Sequence, residues 1–152
     1  MDLPERKISF EKWWPNLRRT GYTVTSAEDR IYNCFAWAAN VTTTCWDPLP
    51  VEGKDTYWPE GVPRVNTVEA FIQAYETIGF KTCDTPDLEP GVEKIVIYAN
   101  NGVPDHAARQ LPSGRWTSKI GDYEDIEHDI NAFEGGKYFG EITAILKRPI
   151  GL

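Results

Sequence analysis

Apolar residues recur at helical spacing in three stretches of the chain. Residues 10–17 follow the i, i+3, i+4, i+7 pattern of a short amphipathic helix, although Pro15 then lies within it. Residues 33–39 are apolar on nearly every side and predict a buried helix. A third helix is predicted over residues 68–78, where Gly79 ends it.

The second half of the chain is richer in β-branched and aromatic residues, which favour strands. Turn residues separate four predicted strands, at 93–99, 106–111, 116–120 and 138–147. A short helix is predicted over residues 126–133, ended by Gly135 and Gly136. Helices followed by an antiparallel sheet predict a single α+β domain over residues 1–152.

Residues 42–65 contain too many proline and glycine breakers for regular structure and are predicted to form a long loop. Its aromatic side chains include Trp46, Tyr57 and Trp58. Long structured loops often carry function, so these rings are candidates for the rim of a binding groove. The alternative is that they anchor the loop to the core.

Composition narrows the possible functions. The chain has 152 residues, with 16 Lys and Arg against 23 Asp and Glu, and a net charge of −7. An acidic protein lacks the basic face that holds nucleic acid, so we expect a protein or peptide partner instead. Neither a membrane helix nor a signal peptide is expected, which favours the cytoplasm. The oligomeric state stays open.

Free thiols are expected, because three cysteines without a C-x-x-C spacing suit a reducing compartment. The spacings of Cys and His match no zinc motif, and no glycine-rich phosphate loop occurs. We therefore expect neither a metal nor a cofactor.

A cysteine in the first turn of a helix can be nucleophilic, because the helix N-terminus lowers its pKa. Cys34 has this position in the predicted helix, and His106 is the candidate base. Pairing Leu111 with Trp116 in the hairpin sets His106 opposite Gly121, which makes Asp122 the best-placed residue to orient the imidazole. The alternative is that Cys34 is a buried apolar side chain.

The segment Asn33-Cys-Phe-Ala-Trp-Ala resembles the cysteine helix of papain-like and NlpC/P60-like hydrolases, and Asp105-His-Ala resembles their histidine strand. The resemblance implies a polar orienting residue near 120–122. Glu28 stands where the family has its oxyanion-hole glutamine. An anion cannot stabilise an oxyanion, so Asn33 is the substitute candidate, together with the Cys34 amide.

Nearly the whole chain is also similar to an uncharacterised family of small bacterial proteins. The motifs that carry this similarity are Tyr32-Asn-Cys, His106-Ala-Ala-Arg-Gln, Trp116-x-Ser-Lys and Ile126-Glu-His. The similarity implies no activity, but it places Cys34, His106, Arg109, Ser118 and Lys119 in one pattern. Ser118 and Lys119 are therefore further candidates for substrate binding.

These observations predict a cysteine hydrolase that performs acyl transfer on a peptide, isopeptide, glutamine amide or thioester, without a cofactor. A second hypothesis is a non-catalytic interaction module, and a third is a toxin domain delivered to rival cells. The enzyme predicts a reactive Cys34 in a cleft. The interaction module predicts a buried, unreactive Cys34 and exposed apolar surface.

Overall fold

The computed structural model of the protein describes residues 2–151 as an α+β fold with few helices and a mostly antiparallel sheet. The four helices are α1 (Leu3–Trp13), α2 (Asn16–Thr20), α3 (Cys34–Ala38) and α4 (Val68–Glu76). The nine strands are β1 (Tyr22–Val24), β2 (Cys45–Trp46), β3 (Thr56–Tyr57), β4 (Lys81–Thr82), β5 (Val92–Asn100), β6 (Val103–Gln110), β7 (Trp116–Lys119), β8 (Asp125–His128) and β9 (Glu141–Pro149).

Seven of these strands form one sheet in the order β1-β8-β7-β6-β5-β9-β4, and all of its neighbouring strands are antiparallel. Successive side chains of a strand point to opposite faces, so the sheet separates two apolar clusters. Ile95 and Ile97 of β5 face the cluster that contains α3 and α4. Val96 and Tyr98 face the cluster that contains α1 and α2. The face on which a residue lies therefore determines which helices it meets.

Local sequence signals account for several element boundaries. The Thr67 side chain accepts a hydrogen bond from the Ala70 backbone N–H at 3.2 Å and caps α4. Gly79, with φ +98°, follows the end of this helix. Pro15 separates α1 from α2, so the predicted helix over residues 10–17 is instead two helices.

The predicted short helix over residues 126–133 is wrong. Residues 125–128 form β8, in which Ile126 lies opposite Ser118 and His128 lies opposite Trp116 of β7. Three apolar positions within eight residues are weak evidence for a helix, and pairing with β7 on one side and β1 on the other overrides them. The loop over residues 42–65 also contains a small parallel pair, β2 with β3.

Candidate functional site

Cys34 is the first residue of α3, which packs against β6 and β7. The Asn33 side chain caps this helix by accepting from the Ala36 N–H at 3.0 Å. It also accepts from the Trp46 N–H at 3.1 Å and donates to the Trp46 carbonyl at 2.8 Å. Asn33, predicted as an oxyanion donor, thus joins α3 to β2.

The Cys34 thiol is buried against the sheet. Burial raises its pKa to about 12, and the backbone of Ala107 offsets only part of that rise. The N-terminus of α3 does not lower the pKa of the thiol enough to offset burial, because α3 has only five residues and the thiol is buried. At neutral pH Cys34 therefore carries a proton and is a poor nucleophile.

His106 lies on the opposite face of the sheet from Cys34. Its neighbour Ala107 faces the α3 cluster, whereas the His106 ring packs against Tyr98, Phe133 and Phe139 on the α1 side. The Phe139 ring stacks on the imidazole with 3.8 Å between centroids. The predicted contact between Cys34 and His106 is consequently absent from the structure.

The hairpin register explains why Asp122 does not meet His106 either. Gln110, not Leu111, lies opposite Trp116, so the predicted register is wrong by one residue. A shift of one residue exchanges the two faces of a strand. Asp122 is instead partly exposed, bonded to the Lys54 ammonium, and 3.7 Å from the Arg30 guanidinium.

His106 belongs to a buried polar chain that also contains Ser118 and His128, and none of the three is exposed. The Ser118 Oγ lies 2.8 Å from His106 Nε2 and 2.6 Å from His128 Nε2. His128 Nδ1 lies 2.7 Å from the carbonyl oxygen of Asp129. Both histidines of the protein are thus joined through one hydroxyl.

The hydrogen bonds among His106, Ser118 and His128 determine where their protons lie. A carbonyl oxygen only accepts, so His128 Nδ1 donates to Asp129 and its neutral Nε2 accepts from the Ser118 O–H. Ser118 Oγ then accepts from His106 Nε2–H. This leaves His106 Nδ1 as a buried acceptor without a hydrogen-bond partner in the described residues.

Burial keeps both histidines neutral. It lowers the pKa of His106 well below its usual value, and nearby His128 adds to this effect. Burial also lowers the pKa of His128 to about 4, although the Asp129 carbonyl opposes the shift. Ser118 and His128 have the geometry of a nucleophile and its base. Both side chains are, however, completely buried.

Of the remaining predicted site residues, Trp46, Trp58 and Lys119 are buried, whereas Tyr57 is 41% exposed. Trp46 stacks on Tyr75 and Trp58 packs edge-on against Phe71, so both tryptophans belong to the core cluster and do not rim a groove. The Lys119 ammonium donates to the carbonyl oxygens of Gly121 and Tyr123.

Two polar contacts hold α3 and its preceding loop on the sheet. They involve Tyr32 and Arg109, for which the sequence predicts no role. The Tyr32 hydroxyl donates to Asp125 of β8 at 2.7 Å. Arg109 donates to the Trp37 carbonyl at 3.3 Å, and its guanidinium lies 4.8 Å from the Trp37 ring. Both Tyr32 and Arg109 belong to the motifs of the sequence, and both hold the α3 region on the sheet.

A cavity of about 280 Å³ opens at the surface beside the start of β9. Ile130 and Ile142 supply apolar surface to its wall, while Glu134 and Glu141 supply carboxylates. Neither carboxylate forms an ion pair with another residue in the range 2–151. This cavity is therefore acidic and accessible, unlike the buried histidine chain.

Two further features bear on the kind of site. No cluster of three or more His, Cys, Asp or Glu side chains suited to a metal ion occurs between residues 2 and 151. In the same range, no helix is both long and apolar enough to cross a membrane.

Comparison with known proteins gives one finding. Residues 23–147 match a family described as a domain of unknown function (DUF7689). No curated protein matches the chain, and no solved structure matches it either. The resemblance to papain-like hydrolases accordingly stays a prediction.

Proposed function

The chain belongs to the DUF7689 family, and we propose that it is a non-catalytic module that binds a protein or peptide partner. The observation that carries this proposal is the separation of Cys34 from His106 by the sheet. A cysteine hydrolase requires a base within hydrogen-bonding reach of the thiol. Here the thiol is protonated and its expected base bonds to Ser118 on the other face.

Rearrangement into an active pair is costly in this fold. Bringing His106 to the α3 face requires β6 to shift by one residue, which would also move Ala107 and Ala108 out of their apolar clusters. The same shift would break the bond between His106 and Ser118. The buried polar chain therefore supports a rigid scaffold in preference to a catalytic centre.

The surface offers features that suit binding. Large apolar side chains are exposed at several points, among them Ile8, Leu88, Ile142 and Ile150. The outer side of β9 at Glu141–Ala144, which β4 does not cover, and the acidic cavity beside it add unpaired backbone and charge. With a net charge of −7, the protein favours a partner that carries basic residues.

Selection from a displayed library of linear peptides, with synthesis of the enriched sequences, tests this function. We expect wild-type protein and Cys34→Ser to bind the same peptides with equal Kd and to leave them intact by mass spectrometry. Cleavage or acylation that disappears in Cys34→Ser would contradict the proposal and support the hydrolase. Failure to enrich any peptide that binds the purified protein would also count against it.

A further inference from the structure

We propose that the outer edge of β9 binds an extended basic peptide, which adds a strand beside Glu141–Ala144 and places a Lys or Arg side chain in the adjacent acidic cavity. This inference rests on the proposed binding function and names its surface and its class of partner.

The edge is open over one short stretch. β9 pairs with β5 along its whole length, but on its other side β4 pairs only with Leu146 and Lys147. The Cys83 N–H donates to the Ile145 carbonyl at 2.8 Å and ends this contact. Within residues 2–151, no strand pairs with the outer side of Glu141–Ala144. Unpaired backbone at a sheet edge is a template for strand addition.

A β-bulge interrupts the unpaired stretch of β9. Ile97 pairs with Ala144 and Tyr98 pairs with Ile142, so Thr143 is the extra residue of β9. Its hydroxyl donates to the Glu141 carbonyl at 3.0 Å. Bulges twist a strand and oppose indefinite edge-to-edge pairing. The surface therefore suits one short segment and disfavours the growth of a continuous sheet.

The cavity beside this edge selects the charge of the partner. Glu134 and Glu141 are both exposed and have no cation beside them in the cavity wall, which contains no Lys, Arg or His. Ile130 and Ile142 give apolar surface for the aliphatic stem of a long basic side chain. A Lys or Arg of the added strand would satisfy both features.

Charge also argues against a second copy of this chain as the occupant. Pairing two β9 edges would bring two copies of Glu141 and Glu134 together, in molecules that each carry a net charge of −7. Like charges opposite each other destabilise a strand pair. A basic segment from another protein is the complementary partner.

The test uses fluorescence polarisation with a labelled eight-residue peptide of alternating Lys and Val, at 150 mM salt. The double variant Glu134→Gln/Glu141→Gln should weaken binding at least fivefold. The matched control Glu52→Gln/Glu60→Gln changes the net charge equally at two exposed positions elsewhere, and should leave Kd within twofold. Thr143→Pro, which removes a backbone N–H at the bulge, should weaken binding without altering the far-UV circular dichroism spectrum.

Equal weakening by both double variants would show charge attraction without a site and would overturn the inference. Undetectable binding to wild-type protein, or unchanged Kd in Thr143→Pro and in Glu134→Gln/Glu141→Gln, would overturn it as well. In those cases the proposed function still stands if library-selected peptides bind elsewhere on the protein. It fails separately if those peptides are cleaved or none is found.

Discussion

Stability should fall as the pH is lowered through the range in which an unfolded histidine titrates, because the folded protein buries both of its histidines as neutral groups. In the unfolded chain each imidazole takes up a proton near pH 6.5. In the folded protein the pKa of His128 is about 4, and the pKa of His106 is also lowered. Between these values the unfolded state binds more protons, so the free energy of unfolding decreases as the pH decreases.

The size of this effect follows from the shift at His128. One pKa unit corresponds to about 1.4 kcal/mol, so at pH 5 the unfolded state gains about 2 kcal/mol from His128 alone. The loss from His128 levels off below about pH 4, where the folded histidine also becomes protonated. His106 acts in the same direction. Asp125 opposes the trend, because burial raises the pKa of its carboxyl.

Urea unfolding at pH 7 and pH 5 measures this effect in the wild type and in His128→Gln, which keeps an acceptor for the Ser118 hydroxyl. The carboxylates are common to both proteins, so their effects cancel in the comparison. We expect the variant to lose about 2 kcal/mol less than the wild type between pH 7 and pH 5. An equal loss in the two proteins would refute the assignment of His128 as a buried neutral group.

Further substitutions probe the scaffold by thermal or urea unfolding. Ser118→Ala leaves two buried ring nitrogens without their hydrogen-bond partner and should lower the free energy of unfolding by about 2 to 4 kcal/mol. A loss under about 0.5 kcal/mol would contradict the hydrogen bonds from Ser118 to the two histidines. Asn33→Ala removes the cap of α3 and its bonds to β2 and should cost about 1 to 2 kcal/mol. Gly140→Ala should lower the free energy of unfolding far more than Gly135→Ala. Both glycines have positive φ, of 72° and 71°. A Cβ at Gly140 would lie 2.2 Å from the Ala99 carbonyl oxygen, whereas a Cβ at Gly135 meets no atom within 4 Å. Equal losses in these two variants would contradict the close packing of Gly140 on β5.

Much of the fold could be predicted from local patterns. The helix α4 and its Thr67 cap follow from periodicity and capping chemistry. The hairpin of β5 and β6 follows from its turn, where Asn101 and Gly102 both have positive φ. These features depend on residues close together in sequence, so the sequence carries their signals directly.

The site could not be predicted in the same way, because its geometry depends on strand register. An error of one residue in pairing β6 with β7 assigns the wrong face, and it hides the bond between His106 and Ser118. The predicted helix over residues 126–133 contains His128, whereas pairing of β8 between β1 and β7 buries this residue in the sheet. Side chains that share motifs are neighbours here, but as parts of the core and not as a thiol with its base.

The proposal that this chain uses no cysteine chemistry is tested most directly by alkylating the native protein with iodoacetamide between pH 4 and pH 9. Mass spectrometry then compares Cys34 with the more exposed Cys83 as an internal reference. We expect Cys83 to be labelled in the folded protein, and Cys34 to stay unlabelled until the protein unfolds. Labelling of native Cys34 faster than Cys83 at pH 6, lost in His106→Ala, would demonstrate a thiolate paired with a histidine and contradict the account.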